Sequence, residues 1–261
     1  MIQSIKIYGD QALLVNFEQR IDPAINAAVI ALQNAIEQAQ IDGVTFQIPA
    51  YCSLTVGYDP SKIEFAVLSE VVRQIGAGLV ERASACPVTK ALAFDPSCGG
   101  KSKDLLTGRT KVSRNGFGTS CSTSRLLRIP VCYEPPYALD LEDLSTQKGI
   151  SQEDIINLHT SQTFKVYMLG FLPGFVFMGK LPNALQCNRK VTPRLRVPPS
   201  SVGIAGLQTG IYPTESPGGW QIIGRTPLTI FDPKKEQPFY FRAGDEVQFY
   251  AISKEEFLAY A

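Results

Sequence analysis

The sequence predicts an α+β chain, with an N-terminal α/β sandwich domain followed by a C-terminal β-barrel domain. Three observations predict it. The first third repeats a strand-strand-helix order, a stretch near 95–124 is poor in apolar residues, and the remainder is a series of short apolar runs punctuated by Gly and Pro. The expected division is 1–94 for the first domain, 95–124 for a flexible linker or loop, and 125–261 for the barrel.

Each element has a local reason. Ser4 to Tyr8 and Ala12 to Phe17 read as strands separated by a Gly9-Asp10 turn. Asp22-Pro23 opens a helix with an N-cap and a proline at the first helical position. Ile25, Val29, Leu32 and Ile36 lie on one face of that helix, and Gly43 is the expected stop. Val44, Phe46 and Ile48 alternate with polar residues, as do Leu54, Val56 and Tyr58. Asp59-Pro60-Ser61 is the expected start of a second helix, with an apolar stripe of Ile63, Val67, Val71, Ile75 and Leu79. The 95–124 stretch is rich in Gly, Ser and Lys and buries too little to offset its ordering entropy. Strands resume at Leu126 to Tyr133. Ser151 opens a short helix, with Asp154 completing a capping-box-like pair. Later strands are expected at Phe164–Leu172, Ser201–Ala205, Trp220–Ile223, Leu228–Phe231, Phe239–Phe241 and Glu246–Ile252.

Composition narrows the function. The chain has 261 residues, 44% hydrophobic and 19% charged, enough for two cores without disulfide or metal support. Its net charge of +1 gives no global field for nucleic acid or an acidic membrane. No apolar run reaches the roughly 18 residues of a membrane span, and no signal-peptide pattern opens the chain, so a cytoplasmic protein is expected. Six cysteines without CxxC spacing and a single histidine offer poor material for a metal site. Reduced thiols are the expectation.

The nearest approach to a nucleotide motif is Gly100-Lys101-Ser102, but Asp95 stands where a phosphate loop needs its first glycine. No GxSxG, HExxH or biotin-carrier Met-Lys-Met occurs. The informative region runs from His159 to Pro227, where Gly and Pro fix loops that carry aromatics and isolated cations. Arg189, Lys190, Arg194 and Arg196 place four cations in eight residues. They form either an anion site for a small carboxylate or phosphoryl group, or a solvated basic loop or rim contact with another subunit. Gln208 and Thr209 sit between Gly206 and Gly210, as substrate-orienting groups or as a plain turn. Arg225 is a further anion clamp or turn cap. His159 is the one candidate acid/base with an ordinary pKa near neutrality, and a buried structural histidine is the alternative. Trp220 reads as a core or interface anchor rather than a stacking platform.

These segments carry a resemblance. GDQALLV at Gly9 to Val15, IPAYCSLTVGYDP at Ile48 to Pro60, IPVCYE at Ile129 to Glu134, the region from His159 to Pro227 and GDEVQF at Gly244 to Phe249 are similar to the KipI/allophanate-hydrolase-subunit-1 family. That family includes the B subunit of 5-oxoprolinase, KipI kinase inhibitors and a section of urea carboxylase. The resemblance implies a cyclophilin-like barrel, a partner of the KipA or C-subunit type, and a further partner of the A-subunit type. It implies ATP-dependent opening of 5-oxo-L-proline to L-glutamate, with ATP bound together with one of those partners. Inhibition of a sensor histidine kinase and carboxyl transfer from biotin on another chain are the alternatives. The expected site is Arg189, Arg194, Gln208, Thr209 and Arg225 for substrate, with His159 for proton transfer. The chain departs from the family at Asn188-Arg189-Lys190, where Pro-Arg-Arg is usual, and at Pro199-Ser200, where Ala-Gly is usual. A lysine there loses bidentate geometry.

Overall fold

In a computed structural model, residues 2–85 and 125–260 are described. The whole of the expected linker at 95–124, with the Gly100-Lys101-Ser102 motif, lies outside them.

The first domain is a four-stranded antiparallel sheet in the order β1 (Ser4–Ile7), β2 (Ala12–Asn16), β4 (Ser53–Tyr58), β3 (Val44–Pro49). Strand alternation puts Leu13 and Val15 of β2 and Leu54 and Val56 of β4 into one core. Helix α1 (Pro23–Ala39) covers them with Val29, Leu32 and Ile36, as its spacing predicts. The Asp22 carboxylate caps it by accepting from the Ala24 and Ile25 N–H groups. The helix stops at Gln40, which takes the left-handed conformation at φ 44°, rather than at Gly43. Helix α2 (Phe65–Ala85) departs more from expectation. Asp59 turns its carboxylate onto Ser61 instead of starting a helix. The buried face of α2 is Leu68 and Val72, with Ile75 and Leu79 beside them, while Val67 is 53% exposed. The stripe is thus rotated by one residue at its start.

The second domain is a closed barrel of seven strands in the order β10-β7-β6-β13-β5-β12-β9. These are β5 (Leu126–Cys132), β6 (Thr163–Leu169), β7 (Val176–Gly179), β9 (Ser201–Ala205), β10 (Gln208–Ile211), β12 (Gln221–Arg225) and β13 (Glu246–Ile252). β13 and β5 pair in parallel, and the other barrel neighbours are antiparallel. A two-stranded ribbon of β8 (Arg194–Val197) and β11 (Ser216–Gly218) stands apart from the barrel. Helices α3 (Leu141–Lys148) and α4 (Gln152–Thr160) help cover the barrel, and α5 (Lys254–Ala259) ends the fold behind a full capping box at Ser253 and Glu256. The expected strands at Leu228–Phe231 and Phe239–Phe241 reduce to one isolated bridge, Phe231 to Phe239. Pro238, beside that bridge, accepts from the Asp232 N–H and has no N–H to return the bond.

The two domains meet along α1. Asn26, 1% exposed, donates to the Ala50 carbonyl at 3.2 Å and to the Tyr167 carbonyl at 3.0 Å. A buried side chain is thereby used to tie the helix, the β3–β4 turn and barrel strand β6 together.

Candidate functional site

The basic run that the sequence singles out becomes an arm beside the barrel, ending in β8. Asp140, in the turn before α3, organises it. Its own N–H donates to the Ile222 carbonyl at 2.8 Å, and its carboxylate accepts from the Ile222 N–H at 2.7 Å. That docks Asp140 on β12 with no exposure. Arg194 then approaches as a fork at 2.6 and 2.7 Å, and Lys190 Nζ at 2.6 Å. Burial pushes the Asp140 carboxyl up, but the hydrogen bonds from Arg194, Lys190 and Ile222 outweigh it and hold the group below the ordinary carboxylate range. Two cations against one carboxylate leave a net positive charge. Arg194, expected as a substrate clamp, is therefore already committed to a protein carboxylate. Arg196 points away, with its side chain 82% exposed and 3.7 Å from Glu215.

Arg189 behaves differently. It is exposed and has no hydrogen bond or ion pair among the described residues. Its charge is felt by the phenols of Tyr51 and Tyr212. Tyr212 also feels Arg194, so the arm lies over one aromatic neighbourhood. There Phe175 meets Tyr212 edge-on at 4.8 Å and Trp220 at 5.5 Å, and Phe177 meets Tyr51 at 5.8 Å.

Strand β10 separates the two residues expected to act as a pair. Gln208 faces outward and its Nε2 donates to the Tyr51 hydroxyl across the domain seam. Thr209 faces inward and is fully buried. Its Oγ1 donates to the Gly203 carbonyl at 3.2 Å and lies 2.9 Å from His159 Nε2. Because the Thr209 proton is used, Nε2 must carry the His159 proton, and Nδ1 accepts from the Tyr133 hydroxyl at 2.8 Å. His159 also stacks on Phe249, with ring centroids at 4.5 Å. Burial pulls its pKa down to about 3, which makes it a neutral histidine in the barrel core. Arg225 is remote in contact terms, its Nε donating to the Pro199 carbonyl at 2.8 Å. The structure thus brings Arg189, Arg194 and Gln208 into one neighbourhood and leaves Thr209, His159 and Arg225 outside it. Asp140, Tyr51, Tyr212 and Tyr167 are the residues that sequence reasoning missed.

Two hollows lie elsewhere. A cleft of about 990 Å³ runs between α1, β3 and the 236–245 loop, past Lys165 and the Arg125–Asp245 ion pair. A smaller one of about 390 Å³ touches Lys148, Cys187 and Asn188. None of the expected site residues lines either. Among the described residues no group of His, Cys, Asp and Glu is arranged to hold a metal ion, and no helix is long and apolar enough to cross a membrane.

The family model described as "Carboxyltransferase domain, subdomain C and D" matches residues 3–241. The chain belongs to this carboxyltransferase-domain family. It is 36% identical over 258 residues to the 5-oxoprolinase B subunit of Bacillus subtilis (strain 168), covering 98% of this chain and 95% of that one. The 5-oxoprolinase B subunit of Escherichia coli O157:H7 is 46% identical over 126 residues, 48% of this chain and 58% of that protein. The urea amidolyase of Saccharomyces cerevisiae (strain ATCC 204508 / S288c) is 28% identical over 169 residues, 51% of this chain and 9% of that protein. Among solved structures, the crystal structure of TTHA0988 in space group P212121 superposes with a TM-score of 0.69 at 30% identity over 93% of this chain. This family member spans 40% of TTHA0988. The relatives named as B subunits of 5-oxoprolinase are parts of an enzyme with further subunits.

Proposed function

We propose that the chain is the B subunit of an ATP-dependent 5-oxoprolinase, opening 5-oxo-L-proline to L-glutamate with partners of the A and C types. The observation that carries this reading is the identity to a 5-oxoprolinase B subunit over nearly the full length of both chains.

The chemistry fits the arm. A ring amide is a poor electrophile, because its nitrogen lone pair is delocalised into the carbonyl. Transfer of a phosphoryl group from ATP to the lactam oxygen, with ADP leaving, activates the ring carbon. Water adds there, and the C–N bond breaks with a proton passing to nitrogen. A second water then releases phosphate from the acyl phosphate. Every stage carries anionic oxygen, for which a net-positive arm is a suitable neighbour. Of the contacts expected from sequence, Arg189 and Gln208 face the seam and bind substrate in this reading. Arg194, held by Asp140, contributes field and rigidity. ATP is a substrate of the assembled complex, bound with one of the partners.

The test is ATP-dependent glutamate formation from 5-oxoproline, with the purified chain alone and with its A- and C-type partners. Turnover confined to the complete mixture is the expected result. No turnover from a folded, assembled mixture overturns the reading. A second reading has its own support: the carboxyltransferase family model and the urea amidolyase relative favour carboxyl transfer from biotin on another chain. Biotin-dependent carboxylation by the same mixture would replace the first reading with that one.

A further inference from the structure

We infer that the seam between the two domains holds a carboxylate receptor, in which the Tyr51 and Tyr167 hydroxyls and the Arg189 guanidinium converge on one small carboxylic acid. This deepens the reading above, and rests on it for the identity of 5-oxoproline as the acid.

Tyr167 is 1% exposed and its hydroxyl has no hydrogen-bond partner. A buried donor left unpartnered is costly, and native proteins rarely keep one without a use. The hydroxyl is placed by Gly179: a methyl group on that glycine would lie 2.8 Å from the Tyr167 ring and 3.5 Å from its oxygen. Gly179 is the ladder partner of Gln208, whose side chain holds the Tyr51 hydroxyl. The Tyr51 and Tyr167 rings meet edge-on at 5.8 Å, and the Tyr51 phenol feels that of Tyr167. Tyr51 accepts from Gln208, so its own proton has no acceptor among the described residues. Arg189, whose charge acts on the Tyr51 phenol, adds a guanidinium without a partner among the described residues. Burial keeps both phenols protonated, and so donating.

Among the described residues no carboxylate is hydrogen-bonded to these donors. Asp22 is the one that Tyr167 feels, but its Oδ1 is engaged by the Ala24 and Ile25 N–H groups of α1 and its Oδ2 lies 3.6 Å from the Arg20 guanidinium. A cluster rich in donors, with one positive charge and no hydrogen-bonded carboxylate among the described residues, is complementary to a ligand carboxylate, which offers two oxygens and no proton. Because Tyr51 comes from the β3–β4 turn and Tyr167 from β6, the receptor exists only while the domains are docked.

The test is calorimetric titration of the full chain, alone and with its C-type partner, with 5-oxo-L-proline, L-glutamate, acetate and 2-pyrrolidone, the last being the ring without its carboxylate. Tyr51→Phe, Tyr167→Phe and Arg189→Gln are each expected to weaken 5-oxoproline binding about tenfold. Tyr167→Phe should leave the thermal midpoint of the free chain unchanged or raised, because its hydroxyl has no partner to lose. A merely structural tyrosine would lower it. Arg189→Gln alters an exposed side chain and keeps the test valid if a tyrosine variant misfolds. Binding of 5-oxoproline that none of the three variants weakens overturns the receptor and leaves the oxoprolinase reading standing. Binding of glutamate or acetate but not 5-oxoproline, lost in the variants, keeps the receptor and overturns that reading. Equal binding of 2-pyrrolidone, or no binding of any acid, overturns the receptor.

Discussion

Gln208 and Thr209 are adjacent in sequence and face opposite sides of one strand. The inward side is a closed relay running from the Tyr133 hydroxyl through His159 and Thr209 to the Gly203 carbonyl, with every proton accounted for. The outward side is open, with two phenols and a guanidinium carrying protons that nothing in the described chain accepts. Buried groups stand on both sides, Thr209 and His159 on one and Tyr167 on the other, so burial alone does not distinguish structure from function. What distinguishes them is satisfaction. A polar group whose bonds are all made holds the fold, and one with capacity to spare is available to a ligand. The Asp140 cluster extends the lesson to charge. It is the strongest electrostatic feature near the arm, yet Asp140 accepts from Lys190, Arg194 and the Ile222 N–H.

The largest test of that distinction is Asp140→Ala. It strands Lys190, Arg194 and the Ile222 N–H together, and breaking such a buried pair costs about 3–5 kcal/mol. Urea unfolding should show this as a lowered midpoint with an unchanged slope. The pH dependence has a definite sign. The folded pKa lies below the ordinary 3.8, so the contribution is complete above that value and is lost as pH falls through the folded pKa. A variant as stable as the parent would mean that the cluster is not structural.

Thr209→Val and Gln208→Ala break the comparison at its centre. Valine keeps the shape of Thr209 but orphans His159 Nε2–H, a loss of about 1–3 kcal/mol. Gln208→Ala should cost less, because its one bond lies at the half-buried seam. If the two losses are equal, the faces of β10 do not differ as argued. The histidine supplies an independent marker. Its pKa is about 3 folded against 6.5 ordinarily, so the unfolded chain binds the extra proton between those values. Stability is therefore complete above about pH 6.5 and falls toward pH 3, at up to roughly 1.4 kcal/mol per unit. His159→Phe should flatten that slope in equilibrium unfolding.

The sequence disclosed the fold where local rules act alone. Asp22-Pro23 and a stripe at helical spacing specify α1, and Ser151 with Asp154 specifies the start of α4. It was less informative where packing decides, as at α2, which begins at Phe65 and buries Leu68 and Val72 against the sheet cluster. The site divides the same way. Arg189 and Gln208 stand out because glycines, prolines and cations cluster around them. Tyr51 lies 157 residues from Gln208, and Asp140 lies 54 from Arg194, so neither pairing leaves a local signal. Asp140 is disguised further, since it stands at the N-cap position of α3, where an acidic residue looks ordinary, while its side chain makes no cap bond. Tyr167 reads as one more aromatic in a strand, and only three-dimensional packing reveals a hydroxyl without a partner.

The smallest effect belongs to Arg196, and it tests whether the cations of the arm really separate by partner rather than by position. Arg196 is two residues from Arg194 and equally charged. Its side chain is 82% exposed and its ion pair with Glu215, 56% exposed, spans 3.7 Å. Solvent screens such a pair, and ordering two long side chains offsets what attraction remains. Arg196→Ala should leave the unfolding midpoint unchanged at physiological salt, while Arg194→Ala lowers it by leaving Asp140 with Lys190 as its one cation. Low salt sharpens the measurement, because it strengthens exposed pairs more than buried ones. A midpoint for Arg196→Ala that falls as far as that of Arg194→Ala would show that the arm acts through its summed charge. The contrast between engaged and free cations would then no longer single out Arg189.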